Sequence, residues 1–277
     1  MRVAEPIVSS WKARLALEFS FRGEKTALSG KSHDGPLVVQ KPFYPEGDAV
    51  CHAIVVHPPG GIAGGDELDI SATVGEQAAA LLTTPGAAKW YRSAGPWARQ
   101  RVSLATQGVL EWLPQETIVF DGALADAELE ADLDADAGLI GWDIVCLGRT
   151  GSGERFSKGI YRFSMAVRRD RKLLWIERGR VDGGGRLLKS PAGLGGHPVF
   201  GTLFASFPQV DRAVVDSIRK EKPGDGEGSV TLLPGVLLAR YLGDSSEAAR
   251  HYFIALWRIL RPALAGREAR EPRIWGT

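Results

Sequence analysis

The chain has 277 residues, 44% hydrophobic and 24% charged, with 34 basic against 33 acidic side chains. A formal charge of +1 gives no electrostatic drive toward nucleic acid or an anionic membrane, and it does little to keep molecules apart, so association with other proteins is expected. The two cysteines, Cys51 and Cys146, form no CxxC pair and no disulfide framework, which points to the cytoplasm. "MRVAEPIVSSWKARLALEF" lacks the apolar core of a leader, and no apolar run reaches the roughly 18 residues of a membrane span.

Along the chain, "HPPGGIAGGDELDI" (57–70) reads as a glycine turn feeding a strand. Within it "LDISATV" puts Leu68, Ile70, Ala72 and Val74 on one face. "RVSLAT", "LIGWDIVCLG", "YRFSMAVR" and "LLWIERGRV" follow, each with period-two alternation and turn residues between them. Period two with short turns predicts a mainly β protein, an antiparallel sheet scaffold rather than βαβ units. "PQVDRAVVDSIRK" predicts a helix with Val210, Val214, Val215 and Ile218 on one side. "KEKPGDGEGS" reads as a short linker. "SVTLLP" and "VLLARYL" read as strands around a Pro234-Gly235 turn. "GDSSEAARHYFIALWRILRP" predicts a helix with Asp244 as N-cap, Glu247 three residues on and Pro262 at its end. The helices thus fall mostly in the C-terminal part of a single domain, 1–277.

The glycine turn does not fit a phosphate loop. A P-loop needs lysine and a hydroxyl where Asp66 and Glu67 stand, and the GxGxxG spacing of dinucleotide binding is absent. A tight turn with glycines at positive φ is the simplest reading. The histidines (His33, His52, His57, His197, His251) form no HxxxH, HxH or HExxH, so a closed zinc site is excluded. Asp66, Glu111, Glu116, Asp121, Asp143 and Glu154 lie in or beside apolar runs. Buried acids must be paired, hydrated or coordinating. They either pair with arginines such as Arg92, Arg149 and Arg155 or line a polar passage for a cation. Lys89, Trp90, Tyr91 and Arg92 form a basic aromatic cluster suited to a protein interface, unless Trp90 is core. Two of Glu111, Glu116, Asp121 and Glu154 could serve a carboxylate hydrolase, but no GxSxG motif and no histidine beside Ser152 supports a nucleophile.

Read together, "HPPGGIAGGDELDI", "LTTPGAAKWYRS", "LEWLPQETIVFDGA", "GWDIVCLGRTGSGE" and the terminal "PRIWGT" resemble the urease accessory protein UreD (UreH) family, in that family's order and over nearly the whole chain. The resemblance implies a non-enzymatic chaperone for nickel insertion into apo-urease. It implies a β scaffold that works with UreF and the GTPase UreG and holds no tightly bound cofactor. It also implies an internal passage for transient Ni2+, with Asp66, Glu116, Asp143, Glu154 and His57 as candidates. Weak single ligands suit an ion that must leave again. A β scaffold that binds protein without touching nickel is the alternative.

Overall fold

The computed structural model describes residues 10–276. Residues 1–9, on which part of the leader reading rests, and Thr277 of the terminal motif lie outside the described residues. The chain opens with strands β1 (Lys12–Arg22), β2 (Lys25–Asp34), β3 (Val38–Val39) and β4 (Cys51–Val56). Then come β5 (Glu67–Val74), β6 (Ala79–Thr83), β7 (Ala88–Trp90), β8 (Ala98–Thr106), β9 (Val109–Trp112), β10 (Thr117–Val119), β11 (Leu124–Leu133), β12 (Gly138–Leu147) and β13 (Ile160–Arg169). β14 (Lys172–Asp182), the one-turn helix α1 (Arg186–Lys189), β15 (Val199–Ser206), α2 (Arg212–Ile218), β16 (Glu227–Leu233), β17 (Val236–Gly243) and α3 (Ser246–Ala265) complete it.

Two sheets result, in the orders β14-β13-β11-β8-β5-β1-β2 and β16-β17-β15-β12-β9-β6-β4-β3. The antiparallel expectation is corrected: both sheets are mixed. β1, β5, β8, β11 and β13 are parallel neighbours in the first sheet, and β4, β6, β9 and β12 in the second. Antiparallel pairs occur at the margins, as β1·β2, β13·β14, β3·β4 and the run β12·β15·β17·β16. From β4 to β13 the chain alternates between the sheets, so the return path between two parallel strands is a strand of the facing sheet. Parallel pairing needs a long crossover, usually a helix. Here the chain coils instead, and its period-two alternation is that of half-buried strands in either direction.

The inner faces of the sheets make one core. Ala13, Leu15, Leu17 and Phe19 of β1 meet it, as do Leu68, Ile70, Ala72 and Val74 of β5 and Leu139, Val145 and Leu147 of β12. Ile140, Trp142, Ile144 and Cys146, on the other face of β12, enter a second core under α2 and α3. β12 is therefore apolar on both faces, as a central strand covered on both sides must be.

The predicted helices form with shifted ends. Asp211 caps α2, accepting from the Ala213 N–H at 2.9 Å. Ser245, not Asp244, caps α3 by accepting from the Ala248 N–H at 3.1 Å; Asp244 instead meets His197 Nδ1 at 2.9 Å. Pro262 does not end α3. The helix runs on to Ala265, with Leu264 and Ala265 still packed on the second core, and Gly266 (φ 63°) terminates it. The Pro234-Gly235 hairpin forms as expected, with Gly235 at φ 81°.

A buried ionic network ties α3 to the sheet. Arg261, fully buried, donates from Nε to both Glu111 oxygens at 3.0 and 3.1 Å. Its Nη1 and Nη2 donate to Glu46 at 2.6 and 2.8 Å. Trp257 Nε1 donates to Glu111 at 2.7 Å, and His52 Nε2 lies 2.5 Å from Glu46. The C-terminal segment then crosses the strands: Trp275 donates to Thr83 Oγ1 at 2.8 Å and packs against Trp142 and Trp257, centroids 5.6 and 5.8 Å away.

Candidate functional site: a slot in the second sheet

The strands of the second sheet are interrupted at one level. β6 pairs with β4 and β9, while the next residues in line, β7, pair with β10, and Trp90 bridges Ile62. The interruptions are residues 57–61, 84–87 and 113–116: "HPPGG", "TPGA" and "LPQE". Each holds proline, which has no N–H to give to a ladder and is not kept inside a central strand. Three prolines-bearing breaks, stacked on successive strands, open a slot. β12 passes it unbroken, pairing with β9 before it and β10 after it. The freed backbone groups are satisfied locally. Gln115 N–H donates to Thr84 Oγ1 at 2.9 Å, Thr83 Oγ1 to Leu113 O at 2.6 Å, and Trp142 Nε1 to Pro114 O at 2.7 Å.

Behind the slot lies a cavity of about 80 Å³ between the sheets, its polar lining including Gln100, Gln115, Thr117, Asp143 and Tyr161. A cleft of about 330 Å³ adjoins it, bounded by His57, Gly60, Gly61 and Lys89. The two share Ile70, Thr84, Ala88 and Gln100 as walls, so they are neighbouring parts of one space, mostly apolar in its lining with a few polar groups. Either is large enough for ordered water.

Two acids, Glu128 and Asp143, reach the cavity wall; Glu128 pairs with Arg101 and Asp143 has no ion-pair partner among the described residues. Its parity along β12 turns it inward with Leu139 and Val145. Burial pushes its carboxyl up to about 6; the Ile144 N–H opposes this, the nearby Glu177 charge adds to it, and the Thr117 hydroxyl opposes it. Glu177 of β14 accepts from Arg240 Nη1 at 2.5 Å through Oε1, while its Oε2 is buried without a hydrogen-bond partner. The Tyr161 hydroxyl is likewise buried and unpartnered, and burial, with Asp143 and Asp126 nearby, raises it well above the usual phenol range. Unsatisfied buried polar atoms call for a water or an ion. At the cleft, His57 Nε2 is also buried and unpartnered; burial lowers the ring's pKa against the pull of Asp66. Imidazole held neutral at neutral pH keeps a lone pair available.

The other acids named from the sequence are occupied. Asp66, 2% exposed, accepts from Trp11 N–H at 2.7 Å and Ala63 N–H at 2.8 Å, closing the glycine turn and pinning the start of β1. Glu154 takes the Arg149 guanidinium at 2.9 and 3.1 Å and its backbone N–H at 3.1 Å, which holds its carboxyl below the usual range. Glu116 lies beside Cys146, outside the cavity wall. Asp121 accepts from the N–H groups of Ser157 and Lys158 at 2.7 and 2.8 Å. Among the described residues no three His, Cys, Asp or Glu side chains gather to hold a metal, so the five candidates are not one cluster. Nor do the hydrolase candidates converge, since Glu111 is enclosed under α3 and Asp121 and Glu154 serve surface turns. Trp90 is 1% exposed and belongs to the core, which removes it from the interface reading, whereas Lys89, Tyr91 and Arg92 are exposed. Sequence reasoning missed Glu177 and Tyr161. Glu177 had a signal: in "LLWIERGRV" it is the one charge on the face shared by Trp175, Gly179 and Val181.

Among the described residues no helix is long and apolar enough to cross a membrane. A family profile described as "UreD urease accessory protein" matches residues 12–276. The chain is 56% identical to a urease accessory protein UreD of Dechloromonas aromatica (strain RCB) over 274 residues, 97% of this chain and 95% of the relative. It is 52% identical to that of Azoarcus sp. (strain BH72) over 279 residues, 100% of this chain and 97% of the relative. With that of Pseudomonas aeruginosa (strain PAO1) the identity is 52% over 271 residues, 97% of this chain and 96% of the relative.

Proposed function

Because this chain belongs to the UreD family of urease accessory proteins, a family of non-catalytic chaperones of urease maturation, we propose that it carries nickel through its interior toward apo-urease, in a complex with UreF and the GTPase UreG. Nickel is cargo here. The observation that carries the reading is the cavity behind the slot, with the Asp143 carboxyl on its wall among a few polar groups. His57 at the cleft and Asp143 beside Glu177 offer one imidazole nitrogen and carboxylate oxygens, donors that nickel accepts. Burial raises the Asp143 carboxyl to about 6, and a cation entering the cavity favours its charged form. The ion exchanges water for one or two protein ligands at a time and is never enclosed by a full set, which leaves it free to move on. Asp66 and Glu154 act on this reading as supports of the turns that border the site.

The test uses Asp143→Asn and Glu177→Gln, each co-expressed with urease, UreF and UreG. Nickel per urease active site is measured by mass spectrometry and complex formation by size exclusion. The expected result is an intact complex with urease nickel reduced several-fold. Full nickel loading in both variants, and in the double variant, overturns the passage and leaves the protein-binding scaffold.

A further inference from the structure

A basic surface begins at the His57 cleft, where Lys89 stands on the wall. Beside the glycine turn a continuous stack runs outward. The position of a Gly61 side chain is filled by the Tyr91 ring, with Cε2 2.3 Å from where a Cβ would stand. Tyr91 meets Phe120 edge-on, centroids 5.2 Å apart, and the Arg149 guanidinium lies 4.6 Å over the Phe120 ring. Three backbone segments run side by side there. Ser93 N–H donates to Gly122 O, and Gly122 N–H to Lys158 O. This brings Lys89, Arg92, Arg149, Arg155 and Lys158 to one surface.

The carboxylates near them are Glu116, Asp121 and Glu154. Five cations face three anions, and two of those anions are already engaged: Glu154 with Arg149, and Asp121 with the Ser157–Lys158 turn. Lys89, Arg155 and Lys158 have no ion-pair partner among the described residues, and all three are exposed. The whole chain is close to neutral, so this excess is local.

We infer that this surface, from Lys89 and Tyr91 across Arg92 to Arg155 and Lys158, is the docking site of an acidic protein surface, and that its occupant neutralises the rim of the cleft. Two observations select protein over nucleic acid. Tyr91 rests against Gly61 and the Arg149 guanidinium covers one face of Phe120, so neither ring is free on all sides to stack a base. The patch is also small and interrupted by carboxylates, unlike the unbroken basic track of a phosphate binder. It joins rigid aromatic groups to charges at the rim, the composition of a protein interface. Like charges repel a hydrated divalent cation. The role given to the cleft rests on the passage proposed above; the docking does not.

The triple variant Lys89→Glu/Arg155→Glu/Lys158→Glu alters exposed side chains that make no ion pair or side-chain hydrogen bond among the described residues, Lys89 also lining the cleft. Its binding to purified apo-urease, UreF and UreG is measured in turn at 50 and 300 mM salt, with circular dichroism to verify folding. The expected result is at least tenfold weaker binding to one of these partners at 50 mM salt, with a flatter salt dependence than the parent. Binding within twofold of the parent for all three overturns the proposal. So does a larger loss of affinity for a single-stranded oligonucleotide than for any of the proteins. Asp143→Asn separates the two ideas: it is expected to leave this binding unchanged while lowering nickel transfer. Normal docking of the triple variant with reduced nickel would sink the docking site and leave the passage standing.

Discussion

Replacing Arg261 by methionine keeps most of the stem's volume and removes every cation from a buried site. Nε and both terminal nitrogens together make four hydrogen bonds of 2.6–3.1 Å to Glu46 and Glu111 and a fifth to the Glu268 carbonyl. Breaking a buried ion network from one side costs about 3–5 kcal/mol, because the carboxylates left behind have lost their counter-charge. Protonation limits the loss. Burial already pushes the Glu111 carboxyl up, with Arg261 holding it back, and the variant loses that restraint. An acid whose folded pKa is raised leaves stability intact below its unfolded pKa of about 4.3 and removes it as pH rises toward the folded value. The loss in Arg261→Met is therefore expected to be about 4 kcal/mol at pH 8 and smaller at pH 5. Adding Glu111→Gln removes the stranded charge while leaving the Trp257 N–H an acceptor, and should recover about 1–2 kcal/mol at pH 8. Urea unfolding followed by tryptophan fluorescence at pH 5, 7 and 8 reads all three quantities. A loss below about 1 kcal/mol at pH 8, or no recovery in the double variant, refutes the assignment of Arg261 as the counter-charge.

Asp143→Asn should change the pH dependence of stability. A carboxyl moved from 3.8 to about 6 forfeits up to roughly 3 kcal/mol as pH rises from about 4 to about 6. The variant should match the parent near pH 4 and exceed it near pH 8; parallel urea midpoints across that range would contradict the burial argument. Trp275→Ala removes a half-buried indole and its bond to Thr83, and should cost about 2 kcal/mol in the same assay. An unchanged midpoint would show that the terminal segment is not held as described. Gly61→Ala puts a methyl into the Tyr91 ring and should cost about 1–3 kcal/mol by thermal unfolding; a silent substitution would mean that Tyr91 does not rest on the turn.

What was legible in the sequence was the face each strand buries. Leu68, Ile70, Ala72 and Val74 point where alternation puts them, and so do Tyr161, Met165 and Val167. Direction was not legible, because period two is the same for parallel and antiparallel strands and a turn of glycine and proline does not reveal which sheet it leads to. The prolines of "HPPGG", "TPGA" and "LPQE" looked like punctuation between elements. Their meaning depends on falling at one level of successive strands, which only the register gives. Asp143 was found because an acid in an apolar strand is expensive. Its neighbour Glu177 sits in a strand rich in exposed charges, such as Arg178 and Arg180, and was lost among them. Asp66 and Glu154 were singled out for their surroundings of glycine. Those glycines mark turns that the two carboxylates fasten, so a strong pattern pointed to support.

The grip of Arg261 on Glu46 and Glu111 spans 215 and 150 residues of chain. The coiled strands, by contrast, each lie against the preceding turn, so the coil can grow in the order in which it is translated. Its outer sheet face stays uncovered until α3 and the segment ending at Trp275 are made. During that interval a nascent molecule presents β12 with one apolar side bare, and neighbouring nascent chains compete for it. The last thirty or so residues thus act as a late fastening. Slowing translation there, or truncating the chain just before Arg261, should be paid for in aggregated product far more heavily than a break of equal length in a surface loop.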